Sequence, residues 1–337
     1  MNILITSYFF KPHIGGIETI TENLANEFVR MGHRVIIVTT STLDNNNEFK
    51  LPYPVLRNPS VKEIYNAYKW CDIFVHSGIS LKWIWPLFIK KRPWVIIYHQ
   101  VYYQKGWKGI IKKICSLFSH NIAVSNTSKK GYELKKATVI YNSYNESIFN
   151  NINKSPRNNF VFVGAVTHDK GCNILLEAFD KFKKETNSDY KLYIIGDSIE
   201  RRLFEKQASI LSSCNDIIFL GQKSQEEVAS ILNENRILIV PSITPEAFGI
   251  VTLEGLACGC IVIGSNKDGI EEALGGCGIT FEKGDINDLS LKMKEAYNYT
   301  EQDYLKMRNK AKKHLEELSL HNIAKQYISF FSRCMNK

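Results

Sequence analysis

No apolar run in these 337 residues approaches the ~20 that a membrane-spanning helix needs. The opening stretch NILITSYFF is too short for a secretory leader, and its first cation, Lys11, follows the apolar run instead of preceding it. It therefore reads as a first strand. No G-x-G-x-x-G turn follows that strand, which removes the main support for a dinucleotide-dependent dehydrogenase. There is no D-x-D pair, so the sequence implies no bound metal. Only Cys258 and Cys260 of the eight cysteines lie close together, and no second pair stands at metal-ligand spacing. The cysteines read as reduced core residues, which implies a cytoplasmic protein. Acid is scarce in the first half: residues 1–150 carry 19 Lys and Arg against 9 Asp and Glu, a net +10, while the remainder carries 24 against 25. No recognised nucleic-acid-binding motif accompanies that charge, so nucleic acid is not an expected partner.

A chain of this length suggests two domains, each large enough to bury a core without disulfides. Its 44% hydrophobic and 23% charged residues are those of a globular protein. Short β-rich runs alternate with helical patterns in the first half. The strands are NILIT, RVIIVTT, DIFVH, WVIIY, NIAV and TVIY, with helices near 17–31, 60–70, 80–90, 107–118 and 127–136. A polar stretch, 145–159 with Pro156, is the best linker. The pattern then restarts with FVFVG, LYIIG, DIIFLG, RILIVP, CIVIG and GITF. Alternation of this kind predicts parallel sheets covered on both faces, in an α/β fold of two doubly wound, Rossmann-like domains. Ligands of such sheets bind beyond the carboxyl ends of the strands.

The most informative segment is PSITPEAFGIVTLEGLACGCIVIGSNKDGIEEA, from Pro241 to Ala273. It sets Glu246 and Glu254 eight residues apart around the turn Ala247-Phe248-Gly249, after a buried-looking strand. From Ile250 the spacing is helical and stops at Gly259. Glu246 then lies on the strand–helix loop and Glu254 about one turn into the helix. A helix N-terminus with unpaired N–H groups suits a diphosphate, and Gly249 lets backbone approach a ligand closely. An ordinary strand–loop–helix with two surface glutamates is the plainer reading of these residues.

The segment resembles the E-x-F-G-x-x-x-x-E donor-binding signature of retaining GT-B glycosyltransferases, with Ala257, Gly259 and Asp268-Gly269 also in register. Other matches extend the resemblance over nearly the whole chain, most densely over 160–290. KPHIGGIETITENLA (11–25) is similar to the family's P-x-x-G-G-x-E turn, with Pro12, Gly15, Gly16 and Glu18 in place, although a tight turn needing positive φ would also explain both glycines. FVGAVTHDKGCNILLEAF (162–179) matches at Lys170 and Gly171, but the family's arginine is Ala165 here. The resemblance implies the GT-B architecture: an acceptor-binding domain over 1–150, a nucleotide-sugar domain over 151–318, an interdomain cleft, and a C-terminal helix over 319–337 that crosses back to the first domain.

It also implies roles. His99, closing the strand WVIIYH, and Glu246 would face the donor sugar. Glu254 would hold the ribose, and the Leu220-Gly221-Gln222 turn the base. Lys170, the amides near Phe248, Gly249 and Ile250, and those of Gly15 and Gly16 would stabilise the departing diphosphate, with no cofactor beyond the donor. Lys267 could replace the cation missing at Ala165. The expected activity is retaining, metal-independent transfer of a hexose or N-acetylhexosamine from a UDP-sugar. The expected acceptor is an undecaprenyl-diphosphate-linked glycan, as in bacterial O-antigen or capsule synthesis. A sugar-nucleotide 2-epimerase, or a non-catalytic subunit of the same fold, would be the alternatives.

Two basic, aromatic stretches bear on location: KWIWPLFIKKRPW (82–94) and KGWKGIIKKICSLF (105–118). In the second, Trp107, Ile110, Ile111, Ile114 and Phe118 can share one helical face beside Lys108, Lys112 and Lys113. That composition suits docking on the anionic cytoplasmic face of the inner membrane; a solvated helix whose apolar face is core would show the same pattern.

Overall fold

Runs of Ile, Val and Phe become strands in both halves because branched and aromatic side chains fit a pleated sheet buried on both faces. In the computed structural model, which describes residues 1–13, 15–43, 50–102, 106–152 and 157–336, the chain divides into two units: 1–143 with 320–337, and 144–319. The first boundary falls seven residues before the expected 150. Lys105 and Pro156 lie outside the described residues.

The first unit contains β1 (Asn2–Ser7), β2 (Arg34–Thr39), β3 (Val55–Arg57), β4 (Ile73–Ser77), β5 (Trp94–Tyr98), β6 (His120–Ala123) and β7 (Ala137–Val139). They pair in parallel in the order β3-β2-β1-β4-β5-β6-β7. β3 escaped the sequence reading because it is only three residues long and half-buried throughout. The order reverses between β1 and β4, the kind of position at which open sheets bind ligands. Helices α1 (Gly16–Arg30), α2 (Val61–Trp70), α3 (Trp107–Phe118) and α4 (Asn126–Gly131) connect the strands. The helix expected over 80–90 is instead two 3-10 turns, Leu81–Trp83 and Trp85–Phe88, with Pro86 in the second. Proline supplies no N–H and its ring obstructs the preceding turn, so an α-helix does not propagate through it.

α3 buries Gly109 and Cys115 and packs Ile111 against the core. Ile111 therefore leaves the apolar face expected from the sequence, and Leu117 joins it. Trp107, Ile110, Ile114, Leu117 and Phe118 are all exposed, the last two to 77% and 78%.

The second unit contains β8 (Asn158–Val163), β9 (Leu192–Ile195), β10 (Ile217–Gly221), β11 (Asn235–Val240), β12 (Ile261–Ser265) and β13 (Ile279–Phe281), all parallel in the order β10-β9-β8-β11-β12-β13. Its helices are α5 (Cys172–Thr186), α6 (Arg201–Ser209), α7 (Gln225–Glu234), α8 (Ile250–Ala257), α9 (Gly269–Leu274), α10 (Ile286–Tyr297) and α11 (Glu301–Glu317). Phe160 on β8 meets Phe182 of α5 edge-on at 5.0 Å in a core that continues to Leu289 and Met293 of α10. The last helix, α12 (Leu320–Met335), belongs to the first unit. Its Phe331 ring lies 5.8 Å from Phe28 of α1, and His321 Nδ1 is 2.7 Å from the buried Glu27 carboxylate. Among the described residues no helix is long and apolar enough to cross a membrane.

Candidate active site

Strand order in the second unit reverses between β8 and β11. The loops leaving these two strands carry Lys170 and Glu246. They are joined by backbone: the Ile243 and Thr244 amides donate to Asp169 O at 2.9 and 3.3 Å. Gly171, at φ +77°, caps α5, and a Cβ there would lie 1.9 Å from Pro241 O. Only glycine permits both the left-handed backbone and that approach. The result brings the Lys170 ammonium onto Glu246 Oε1 as an ion pair, and the Ser242 hydroxyl donates to the same oxygen at 2.8 Å. Two residues separated by 76 positions thus share one contact.

Glu246 is also held from behind. Asp268, 4% exposed, caps α9 by accepting from the Ile270 amide at 2.8 Å. Its other oxygen accepts from the Glu246 amide at 3.1 Å and pairs with the Lys283 ammonium. The Gly269 amide in turn donates to Glu246 O at 3.1 Å. A buried carboxylate needs this number of donors to offset its lost hydration. Asp268 was visible as part of the motif, whereas Lys283 was not: it lies 15 residues away, with no spacing rule to link the two.

α8 begins at Ile250 after Gly249, which caps it at φ +78°, and no side chain caps its first turn. Its N-terminal amides therefore keep the partial positive charge that attracts an anion. Glu254 sits one turn in, half-buried, and burial pushes its carboxyl up to about 7. Phe248 is 1% exposed, so its ring anchors the loop in the core; only its backbone is left for a ligand contact. Gln222, just after β10, is exposed. Lys267 points its ammonium at Glu282 and is 68% exposed, an ordinary surface ion pair with no bond to Lys170 or Glu246.

In the first unit, Gly15 caps α1 and Gly16 opens it. Neither has positive φ: Gly15 is extended at −171°. At Gly15 the Glu18 carboxylate folds back over the backbone, where a Cβ would lie 2.4 Å from Oε2, a contact that the flexible glutamate can relieve by moving. Gly16 faces open space. His99, half-buried just past β5, has its Nε2 2.9 Å from Ser77 Oγ at the end of β4. Ser77 Oγ is 2.6 Å from Thr21 Oγ1, which donates to Ile17 O at 2.7 Å. Burial lowers the imidazole to about 4, so His99 is neutral at physiological pH. Ser77 and Thr21 carried no signal in the sequence, since they are single hydroxyls on a strand and a helix.

The second unit thus offers an ammonium, uncapped helix amides and two carboxylates at a switch point, groups able to take a diphosphate and sugar hydroxyls. Comparison with known proteins gives the family. The description "Glycosyl transferases group 1" matches residues 144–314, and "Glycosyltransferase Family 4" matches 14–147. An uncharacterized glycosyltransferase of Methanocaldococcus jannaschii is 30% identical over 332 residues, covering 89% of this chain and 90% of the relative. A lipopolysaccharide 1,2-N-acetylglucosaminetransferase of Salmonella typhimurium is 33% identical over 119 residues, 33% of this chain and 31% of that protein. Among solved structures, Anabaena HepE in complex with UDP superposes with a TM-score of 0.83 at 18% identity, over 99% of this chain and 100% of HepE. With a family description spanning half the chain and a full-length relative at this identity, the protein belongs to the group 1 glycosyl transferases.

Proposed function

We propose that this protein is a retaining, metal-independent glycosyltransferase that moves a hexose or N-acetylhexosamine from a UDP-sugar to a lipid-diphosphate-linked glycan in cell-surface polysaccharide synthesis. The observation that carries the reading is the Lys170–Glu246 pair at the β8/β11 switch point, beside the uncapped N-terminus of α8. An incoming diphosphate competes for the Lys170 ammonium. Once Lys170 turns to phosphate, the Glu246 carboxylate is released to accept a hydroxyl of the donor sugar. Glu254, in ionised form, accepts the ribose hydroxyls. Lys170 and the α8 amides then stabilise the leaving diphosphate as charge develops on it, the work that a metal does elsewhere. No carboxylate is assigned as a nucleophile. Retention follows instead from attack on the face the leaving group departs from, with the phosphate oxygen helping to take the acceptor proton.

Two similarities support the donor and acceptor classes. HepE is described in complex with UDP and with UDP-glucose, and the Salmonella relative is named a lipopolysaccharide 1,2-N-acetylglucosaminetransferase. Thermal shift and calorimetry with UDP-, GDP- and ADP-sugars test the donor. A UDP-sugar should stabilise the wild type and lose its effect in Glu254→Ala; a preference for GDP- or ADP-sugars would reject the assignment. NMR coupling constants of the product should report the donor's α configuration, and inversion would overturn the retaining mechanism.

The acceptor side is supported by α3. Its Trp107, Ile110, Ile114, Leu117 and Phe118 are exposed, as are Phe88 and Ile89 of the β4–β5 connection and the cations Lys90, Lys91 and Lys108, while Lys113 pairs with Glu133. Two copies meeting on this surface would bring like charges together, whereas an anionic bilayer neutralises them while covering the apolar side chains. This reading puts the protein on the cytoplasmic face of the inner membrane, where a lipid-linked acceptor would present its diphosphate. It should sediment with phosphatidylglycerol-containing vesicles at low salt, and Ile114→Ser/Leu117→Ser should remain in the supernatant. Equal binding to neutral vesicles by both proteins would reject the docking surface.

A further inference from the structure

The hydroxyl chain behind His99 has a consequence for its proton. Thr21 Oγ1 lies 2.7 Å from Ile17 O, a carbonyl that can only accept, so the Thr21 proton is committed there. Ser77 Oγ, 2.6 Å from Thr21 Oγ1, must then donate to it. With the Ser77 proton so engaged, the 2.9 Å contact between Ser77 Oγ and His99 Nε2 requires the proton to be on the nitrogen. Thr21 is 2% exposed and Ser77 4%, so bulk water does not offer either hydroxyl another partner. Every proton in the row points one way, from imidazole to helix carbonyl. A neutral imidazole protonated on Nε2 leaves a lone pair on Nδ1.

We propose that Ser77 and Thr21 are positioning residues that fix the His99 proton on Nε2 and leave Nδ1 as the imidazole's acceptor. The inference rests on the hydrogen-bond chain alone. It gives His99 a definite polarity: Nδ1 can accept a hydrogen bond from a hydroxyl and can offer none to a phosphate or carboxylate oxygen. An imidazole in the other tautomer would favour the opposite ligand atoms. The selection is made two side chains away, by a threonine that is itself buried. The same chain ties the tautomer to the first turns of α1, because the final acceptor, Ile17 O, is a backbone group of that helix.

The test is two-bond 1H–15N correlation on the full-length protein labelled with 15N-histidine, with His99→Gln used to assign the resonance. Wild type and Thr21→Ser, which keeps the hydroxyl, should both show protonated Nε2. Thr21→Val removes the acceptor for Ser77, whose proton then turns to His99, and the signature should change to protonated Nδ1. Protonated Nδ1 in wild type, or an unchanged signature in Thr21→Val, overturns the proposal. If the valine variant does not fold, Ser77→Ala serves instead: it should lose the fixed tautomer and show exchange between the two, and a retained single Nε2–H form would overturn the proposal.

Discussion

Lys170 and Glu246 cannot both keep each other and serve a substrate, and that conflict sets the sign of two substitutions. At an effective dielectric of ~20 and ~4 Å separation, two unit charges attract by about 4 kcal/mol before desolvation. The Lys170 side chain is 37% exposed and Glu246 20%, so solvent screening reduces the net value of the pair to roughly 1 kcal/mol or less. Breaking it should therefore cost little stability, a fall in melting temperature of about 2–4 °C for a unit of this size. The same small energy opposes UDP binding, since the pair must open before Lys170 can reach phosphate. Glu246→Gln should thus tighten UDP by up to about fivefold while lowering turnover. Lys170→Ala should weaken UDP and lower kcat by about 10²–10³, the loss seen when one donor to a developing anion is removed. Calorimetry with UDP and steady-state kinetics on the two variants decide the matter. Equal weakening of UDP in both would mean that Glu246 contacts the nucleotide and does not compete with it. A kcat within threefold of wild type in Lys170→Ala would remove the lysine from the chemistry.

Burial that holds the Glu254 carboxyl near 7 makes the folded protein bind more protons than the unfolded chain between about pH 4.5 and 7, so its contribution to stability is present below that window and lost as pH rises through it. UDP affinity should run the opposite way, weakening as pH falls below about 7 because the ribose hydroxyls need the ionised form; both dependences should flatten in Glu254→Gln, as read by melting curves and calorimetry across pH. Gly171→Ala meets Pro241 O and an unfavourable φ of +77° together, and should destabilise the protein by about 2–4 kcal/mol in urea titration. Full stability in that variant would show that the two loops separate easily. Turnover should survive excess EDTA; loss on chelation with recovery on adding Mg²⁺ would refute the assignment of the leaving-group charge to Lys170 and the α8 amides.

Periodicity made both sheets legible, because parallel strands buried on two faces leave continuous apolar runs such as those of Phe160–Val163 and Ile237–Val240. It failed where length or a single residue decided the outcome, at three-residue β3 and at Pro86. On α3, composition fixed a helix but not its orientation: Ile111 and Cys115 face inward, and the exposed stripe runs through Leu117 instead. The site divides along the same line. Glu246, Gly249 and Glu254 lie on one continuous segment, so their order along the loop, the cap and the first turn of α8 could be read from the sequence. Contacts closed by the sheet could not, since Lys170 with Glu246 spans 76 residues and Ser77 with Thr21 spans 56. Lys267 illustrates the difference. Proximity in sequence to Asp268 made it a candidate for the cation missing at Ala165, yet its left-handed backbone, φ +69°, and its pairing with Glu282 commit it to the surface. The lysine that does reach Asp268 is Lys283, and its position behind the loop makes it a brace for Glu246, with its charge spent on a buried carboxylate. Lys170 is likewise paired with a carboxylate, so pairing alone does not separate the three lysines; position does, because the carboxylate that Lys170 meets lies on the loop leading into α8, and in the proposed reaction it is Lys170 with the first turn of that helix that takes the diphosphate.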